Sequence, residues 1–136
     1  MVEMQLFRIV IRETSDQQRI YLREKDGTRQ FPIVIGIHEA AAIDRKVRDR
    51  PAQRPMTHDL LAAMVHVLGA RIERVVISEL RNNTFHARID VLPRDGDATI
   101  PVDARPSDAI ALAAHVGARI FVAEDVLRDV LASSTE

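Results

Sequence analysis

The sequence has no cysteine among its 136 residues. This absence excludes disulfide bonds, thiolate nucleophiles and cysteine-ligated zinc. Histidine, aspartate and glutamate are then the side chains left to hold a metal, and their oxygen-rich chemistry favours hard cations such as Mg²⁺ or Mn²⁺, or no metal.

Long apolar runs are also missing. No segment approaches the roughly 20 apolar residues that a membrane-spanning helix needs. The first ten residues, MVEMQLFRIV, carry Glu3 and Arg8 where a signal peptide needs an uninterrupted apolar stretch. We therefore expect a cytoplasmic protein with no membrane partner.

Aromatic residues and net charge are scarce as well. Aromatic residues make up 4% of the chain, which argues against recognition of single-stranded nucleic acid by base stacking. The formal net charge of −1 gives no overall attraction to a polyanion, so binding of nucleic acid requires a local basic patch. Glycine-rich phosphate loops and nucleophile-elbow motifs are absent too.

What the chain does contain is the composition of one globular domain, with 46% hydrophobic and 29% charged residues. This length fits a single core. We expect one domain over residues 1–132 and a frayed tail over 133–136.

An internal repeat organises the chain. Residues 19–47 align without gaps on residues 88–116, at an offset of 69, which superimposes Asp26-Gly27 on Asp95-Gly96 and Pro32 on Pro101. Such self-similarity predicts two copies of one unit, over about 2–69 and 71–132. The predicted strands are 3–11, 18–24, 29–35, 71–80, 84–92 and 98–104, and the predicted helices are 38–49, 57–68, 106–116 and 124–132.

Residues 118–123 predict one further strand, which breaks the symmetry. The fold class is therefore α+β, a duplicated β-β-β-α-α unit whose mixed, mainly antiparallel sheet is covered by helices. Pro32 and Pro101 lack an N–H for the ladder, so we expect either that their strands lie at sheet edges or that the prolines lie at strand ends. Gly117 has the usual position of a helix C-terminal glycine.

The segment DARPSDAIALA, residues 103–113, joins charged side chains to a helix start. Pro106 fits the first helical position, so Asp108 lies in the first turn and could cap an upstream N–H, as Glu39 could in the first repeat. Capping alone explains this pair. Capping does not explain Asp103 and Arg105. These two residues form either a surface ion pair or part of a site for phosphate or a divalent cation.

The segment RPMTHDLL, residues 54–61, is the second dense stretch. Thr57 is a good N-cap, which makes His58 a solvent-facing first-turn residue. A histidine there is either idle or a general base that Asp59 orients.

Five basic residues in ten positions are the best candidate for a phosphate-binding surface, although such a run is also typical of a solvated helix face. They are Arg45, Lys46, Arg48, Arg50 and Arg54.

Four motifs in this order resemble the bifunctional nuclease domain family: FPIVIGIHEAAAI, RPMTHDLL, LGARIERVVISELRNNTFHARI and VDARPSDAIALAAHVGARIFVAEDVL. The resemblance runs from about Val2 to about Leu131. It implies an α+β fold, a homodimer, and nuclease activity on DNA and RNA. The motif residues carried over to this chain are Glu39, His58, Asp59, Asp103, Arg105, Ser107 and Asp108.

Two functions follow as hypotheses. In the first, the protein is a nuclease in which Glu39, Asp103 and Asp108 hold a divalent metal such as Mg²⁺ or Mn²⁺, Arg105 neutralises phosphate charge, and His58 with Asp59 activates water. In the second, the same residues cap helices in a non-catalytic dimeric binding or regulatory module. The nuclease hypothesis requires residues 39, 58 and 103–108 to meet in one cleft.

Overall fold

The structure is a computed structural model that describes residues 1–12, 14–50 and 52–134. The described residues form seven strands and four helices. In chain order these are β1 (Val2–Val10), β2 (Gln18–Glu24), β3 (Gln30–Ile35), α1 (Ile37–Val47), α2 (Thr57–Val67), β4 (Arg71–Arg81), β5 (Thr84–Leu92), β6 (Ile100–Ala104), α3 (Pro106–Val116), β7 (Arg119–Val122) and α4 (Glu124–Ser134).

All seven strands form one sheet in the order β3-β2-β1-β7-β4-β5-β6. Every neighbouring pair is antiparallel except β4 and β7, which run parallel. The predicted α+β class and mainly antiparallel sheet are confirmed. The proline-containing strands β3 and β6 lie at the two edges, as expected of strands that lack a ladder donor.

The element order fits the predicted duplication. Strands β1, β2 and β3 form one antiparallel meander, and β4, β5 and β6 form the other. Helices α1 and α3 begin at Ile37 and Pro106, which are separated by the same offset of 69 residues as the aligned sequences. The extra strand, β7, joins the two meanders by pairing with β1 and β4.

The core lies on one face of the sheet, which the four helices cover. Buried residues of the helices, including Ile43, Ile110 and Leu127, belong to a single cluster with alternate strand residues such as Ile20 and Val75. Period-2 alternation of the strands places these side chains on the same face. We call the opposite face of the sheet its outer face.

The sheet is curled. Phe31 on the edge strand β3 and Phe85 on β5 are separated by four strands in the sheet, yet their ring centroids are 5.8 Å apart. A flat sheet would hold these rings far apart, because neighbouring strands are about 4.8 Å from each other.

Two of three predictions about helix ends are confirmed. Pro106 begins α3, and Gly117 follows its last residue in the left-handed conformation, with φ 75°. The prediction for Thr57 was wrong. The N-cap of α2 is Met56, whose backbone N–H donates to Asp59 Oδ2 at 2.8 Å. The end of the chain differs as well, because α4 continues to Ser134 into the predicted tail, and residues 135–136 lie outside the described residues.

A charged cluster ties the β2–β3 hairpin to the start of α4. Arg29 Nη1 donates to Glu124 Oε1 at 2.8 Å, and Arg29 Nε donates to Glu24 Oε1. Hydrogen bonding from Arg29 lowers the pKa of both Glu24 and Glu124 below the ordinary value.

Helix α2 turns its apolar stripe toward solvent. Ala62 is its buried residue, whereas the side chains of the stripe are largely exposed. The exposed side chains are Leu60, Leu61, Met64, Val67 and, just past the helix, Leu68. Each described helix has eleven residues, and none is both long and apolar enough to cross a membrane.

Candidate functional site

The centre of the candidate site is a pair of side chains from two different helices. His58, in the first turn of α2, lies with its Nε2 atom 3.0 Å from Oδ1 of Asp108 in the first turn of α3. The expectation of a solvent-facing His58 was wrong, because its side chain is only 16% exposed. The expectation that Asp108 caps its own helix was also wrong, since no side chain caps the start of α3.

Arg105 joins this pair to α1. Its Nε donates to Asp108 Oδ2 at 3.1 Å, and its Nη2 lies 3.4 Å from Glu39 Oε1. The ion pair of Arg105 with Asp103, which the sequence left open, does not form among the described residues. The reason is geometric, because the guanidinium extends across the two helix starts, and its side chain remains 70% exposed.

These residues line one cleft of about 670 Å³. The cleft lies between α1, α2, the start of α3 and the edge strand β6. Its charged residues are Glu39, His58, Asp103, Arg105 and Asp108, with Arg45 beside them, and apolar residues including Leu61, Ile89, Val102 and Leu112 form the remaining wall. A cavity of this size with an apolar wall and a few converging polar groups is typical of ligand sites.

Three of the residues assigned to the site from sequence, Asp59, Asp103 and Ser107, do not join its centre. Asp103 borders the cleft, but its register partner on β5 is Arg88, whose side chain belongs to the outer face of the sheet. Ser107 is buried and borders a different cavity, beside Phe85 and Pro106. The residues around the start of α3 therefore line two different cavities.

A second histidine and carboxylate pair lies next to the first. His115 Nδ1 on α3 is 3.1 Å from Asp59 Oδ1 on α2. Asp59 therefore binds His115 and the N-cap of its own helix, and it does not orient His58. Sequence reasoning missed His115. Its signal was the spacing of seven residues from Asp108, which places both on one face of a helix.

The second pair lines a smaller cavity of about 300 Å³ together with part of the basic cluster. Arg45, Lys46 and Arg50 border this cavity. Arg48, the residue that follows α1, instead pairs with Asp44 on that helix, at 2.9 Å, and Arg54 is exposed without lining either cavity. Three of the five predicted basic residues thus lie beside the start of α2.

Comparison with known proteins places the chain in a family. Residues 20–135 match the family described as Bifunctional nuclease domain. The chain belongs to the bifunctional nuclease domain family. Two similar proteins come from strains of Mycobacterium tuberculosis, the uncharacterized proteins Rv1829 and MT1877. Each is 39% identical to this chain over 127 residues, which cover 93% of this chain and 74% of the relative.

In this bifunctional nuclease domain, the predicted metal ligands do not fit a three-carboxylate site as they are arranged. No three histidine, aspartate or glutamate side chains of the described residues lie close enough together to hold a metal ion. The guanidinium of Arg105 contacts Glu39 and Asp108, so a cation already bridges these two acids. We therefore derive no step through a metal.

The chemistry available at the site follows from the His58 contact. A carboxylate only accepts hydrogen bonds, so Nε2 of His58 carries the proton that it donates to Asp108. In the neutral ring Nδ1 then carries the lone pair. Within the described part of the chain, Nδ1 has no hydrogen-bond partner. Asp108 thus fixes the orientation of the His58 ring, and the exposed cation of Arg105 contacts the same aspartate.

Proposed function

We propose that this protein hydrolyses phosphodiester bonds of DNA or RNA in the cleft between α1, α2 and α3. The observation that carries the proposal is the convergence of Glu39, His58, Arg105 and Asp108 in that cleft. These residues come from three separate helix starts. The His58–Asp108 and Arg105–Glu39 contacts cross between helices, and the Arg105–Asp108 contact lies within the start of α3. Membership of the bifunctional nuclease domain family supports the same activity.

In the proposed reaction His58 acts as the general base. Its Nδ1 atom takes a proton from the attacking water while the water oxygen bonds to phosphorus. The bond from phosphorus to the leaving oxygen breaks, and that oxygen takes a proton from solvent. Asp108 accepts from Nε2 throughout, which holds the ring in one tautomer and stabilises the imidazolium that forms.

Arg105 is proposed to bind the phosphoryl oxygens. Its side chain is largely exposed and its guanidinium retains donors beyond the two carboxylates that it contacts. A planar guanidinium suits phosphate because it offers paired donors. Glu39 and Asp108 hold the guanidinium at the mouth of the cleft, so the charge that develops on phosphate meets a fixed cation.

The basic residues beside the smaller cavity are proposed to bind the flanking phosphates. Arg45 lines both cavities, and Lys46 and Arg50 line the smaller one. A nucleic-acid strand that crosses the cleft would therefore contact cations on both sides of His58. Because the overall charge is close to zero, this local cluster would supply most of the salt-dependent affinity.

The proposal is tested by incubating purified protein with end-labelled single-stranded and duplex DNA and RNA. We expect cleavage by the wild type and a loss of about 100-fold in Asp108→Asn, which keeps the shape of the side chain but removes its charge. Asp44→Asn, at an aspartate that pairs with Arg48 on α1, is the matched control and should cleave like the wild type.

A parallel series with EDTA tests the metal that the sequence predicts. Activity that EDTA abolishes and Mg²⁺ or Mn²⁺ restores would show that cleavage needs a metal, which the His58 mechanism does not include. Wild-type activity in Asp108→Asn, with or without EDTA, would refute the proposed role of the pair.

A second function, a dimeric binding module, is favoured by a different observation. Large apolar side chains are exposed on α2 and also on β6, where Ile100 and Val102 are about half exposed. Leu61 and Val102 line the same cleft. An exposed apolar surface of this kind marks an interaction site, and we propose that a second copy of the chain covers it.

A further inference from the structure

The outer face of the sheet gathers most of the few aromatic rings in the chain. The sequence contains four Phe and one Tyr, of which Phe31 and Phe85 pack together on the inner face. The other three, Phe7, Tyr21 and Phe121, lie on the opposite side. Tyr21 and Phe121 alternate along their strands with buried residues, and the side chain of Phe7 is 49% exposed.

Each of these three rings is covered by an arginine. The guanidinium carbon of Arg8 lies 4.6 Å from the Tyr21 ring centroid, and that of Arg23 lies 5.1 Å from the Phe7 centroid. On β7, Arg119 lies 5.4 Å above Phe121. Such contacts are cation–π interactions, and a guanidinium plane is itself a surface on which a nucleobase can stack.

The half of this face formed by β1 and β2 carries three arginines. In the part of the chain that the structure describes, Arg8, Arg19 and Arg23 form no ion pair with an acidic residue. Hydrogen bonds from Arg8 and Arg19 also lower the pKa of the Tyr21 hydroxyl. This face is therefore cationic locally, although the whole chain has a formal charge of −1.

We propose that the outer-face patch, defined as Phe7, Arg8, Arg19, Tyr21 and Arg23, binds single-stranded nucleic acid. The rings and guanidinium planes would stack against bases, and the arginines would contact phosphates. This pattern reverses the expectation from the low aromatic content, because the fold concentrates the rings that are present. The inference rests on the proposed function only in its choice of nucleic acid as the partner, since the patch and the cleft lie on opposite faces of the sheet.

Tyr21 provides a direct reporter for the test. The chain has one tyrosine and no tryptophan, so intrinsic tyrosine emission comes from Tyr21 alone. Oligodeoxythymidylate of twelve nucleotides is titrated into the protein, with EDTA present and strand integrity checked on a gel. An abasic strand with the same number of phosphates and a duplex of the same length are titrated in parallel. We expect tighter binding of the thymidylate strand than of the abasic strand, by roughly tenfold or more, with a change in Tyr21 emission at saturation.

Two variants separate stacking from phosphate contact. Phe7→Leu, at an exposed ring, should weaken binding of the thymidylate strand several-fold and leave binding of the abasic strand unchanged. The double variant Arg8→Gln, Arg23→Gln should weaken binding of both strands and reduce the salt dependence of binding. Arg128→Gln, at an exposed arginine that pairs with Asp125 on α4, is the control for loss of charge and should bind like the wild type.

Three results would each overturn the inference: equal affinity for the thymidylate and abasic strands, unchanged Tyr21 emission at saturation, or binding to anionic phospholipid vesicles without binding to the oligonucleotide. Cleavage of DNA and RNA is measured separately on the same variants. A wild type that cleaves but does not bind the thymidylate strand would refute the patch alone. Loss of cleavage in Asp108→Asn with strand binding retained would support both proposals.

Discussion

The ring of His58 and the carboxylate of Asp108 join α2 to α3, with Nε2 and Oδ1 separated by 3.0 Å. Asp59, the next residue of α2, makes the reverse contact, in which α3 supplies the histidine, His115. The two pairs differ in their surroundings. The His58 pair adjoins the exposed guanidinium of Arg105, whereas Asp59 also accepts the N-cap N–H of its own helix.

This difference predicts unequal effects of the two histidines on cleavage. His58→Gln can still donate to Asp108 but offers no basic nitrogen, so we expect a fall of about 100-fold in single-turnover cleavage. His115→Gln removes a contact that fixes the start of α2 and should lower cleavage less than tenfold. Rates are compared on the substrate that the wild type cleaves best. Equal losses in the two variants would show that both histidines merely hold the helices.

Arg29→Gln is expected to lower Tm at pH 7 and to have less effect in acid. The pKa of Glu24 and that of Glu124 lie below their ordinary value of 4.5 because Arg29 donates to both. A carboxylate with a depressed pKa stabilises the fold above its unfolded pKa, and this stabilisation is lost as the pH falls through the folded pKa. The difference in Tm between wild type and variant should therefore shrink below about pH 4.5.

Thermal unfolding followed by circular dichroism from pH 7 to pH 3 provides the measurement. Arg48→Gln, which removes an exposed pair within α1, is the control and should change Tm little at any pH. A difference in Tm between the wild type and Arg29→Gln that stays constant down to pH 3 would contradict stabilisation by the two carboxylates.

Gly117→Ala is expected to destabilise the protein by about 1 kcal/mol, because a left-handed backbone is costly for a residue with a Cβ. Gly117 has φ 75°, and no atom lies within 4 Å of the position that a Cβ would take. The cost is therefore conformational and not steric. Gly117→Asn should cost less, since asparagine tolerates this conformation. Chemical denaturation of both variants checks the order, and a less stable asparagine variant would contradict this explanation.

The exposed stripe of α2 predicts a concentration-dependent dimer. Light scattering coupled to size-exclusion chromatography should give twice the chain mass of 15.3 kDa. Val67→Asp, at a side chain that is 77% exposed, should give the monomer with an unchanged circular dichroism spectrum. Val34→Asp, at an exposed position on edge strand β3, should remain dimeric. A monomeric wild type would refute the proposed partner.

The sequence predicts the fold well because local signals dominate it. The ranges 18–24, 84–92 and 106–116 match strands β2 and β5 and helix α3, since each is bounded by turn residues or a helix start and stop. The order of strands across the sheet needed tertiary information. Placement of β7 between β1 and β4 depends on pairing between distant residues, and composition does not encode this.

The candidate site was predicted less completely. Glu39, His58, Arg105 and Asp108 meet as expected, but their individual contacts differ from those that local rules favour. Asp108 is within reach of its own helix start, yet it binds a histidine fifty residues away. Such a contact depends on how α2 packs against α3. The same packing brings His115 to Asp59, and the spacing of His115 from Asp108 does not identify Asp59 as its partner.

The central claim is that His58 and Asp108 act as one unit in phosphodiester cleavage, and a double-mutant cycle tests it most directly. Single-turnover rates are measured for wild type, His58→Ala, Asp108→Asn and the double variant. The account predicts that the double variant loses far less than the product of the two single losses, because Asp108 acts mainly through the histidine and only in part through Arg105. Multiplied losses in the double variant, or wild-type rates in both single variants, would contradict it.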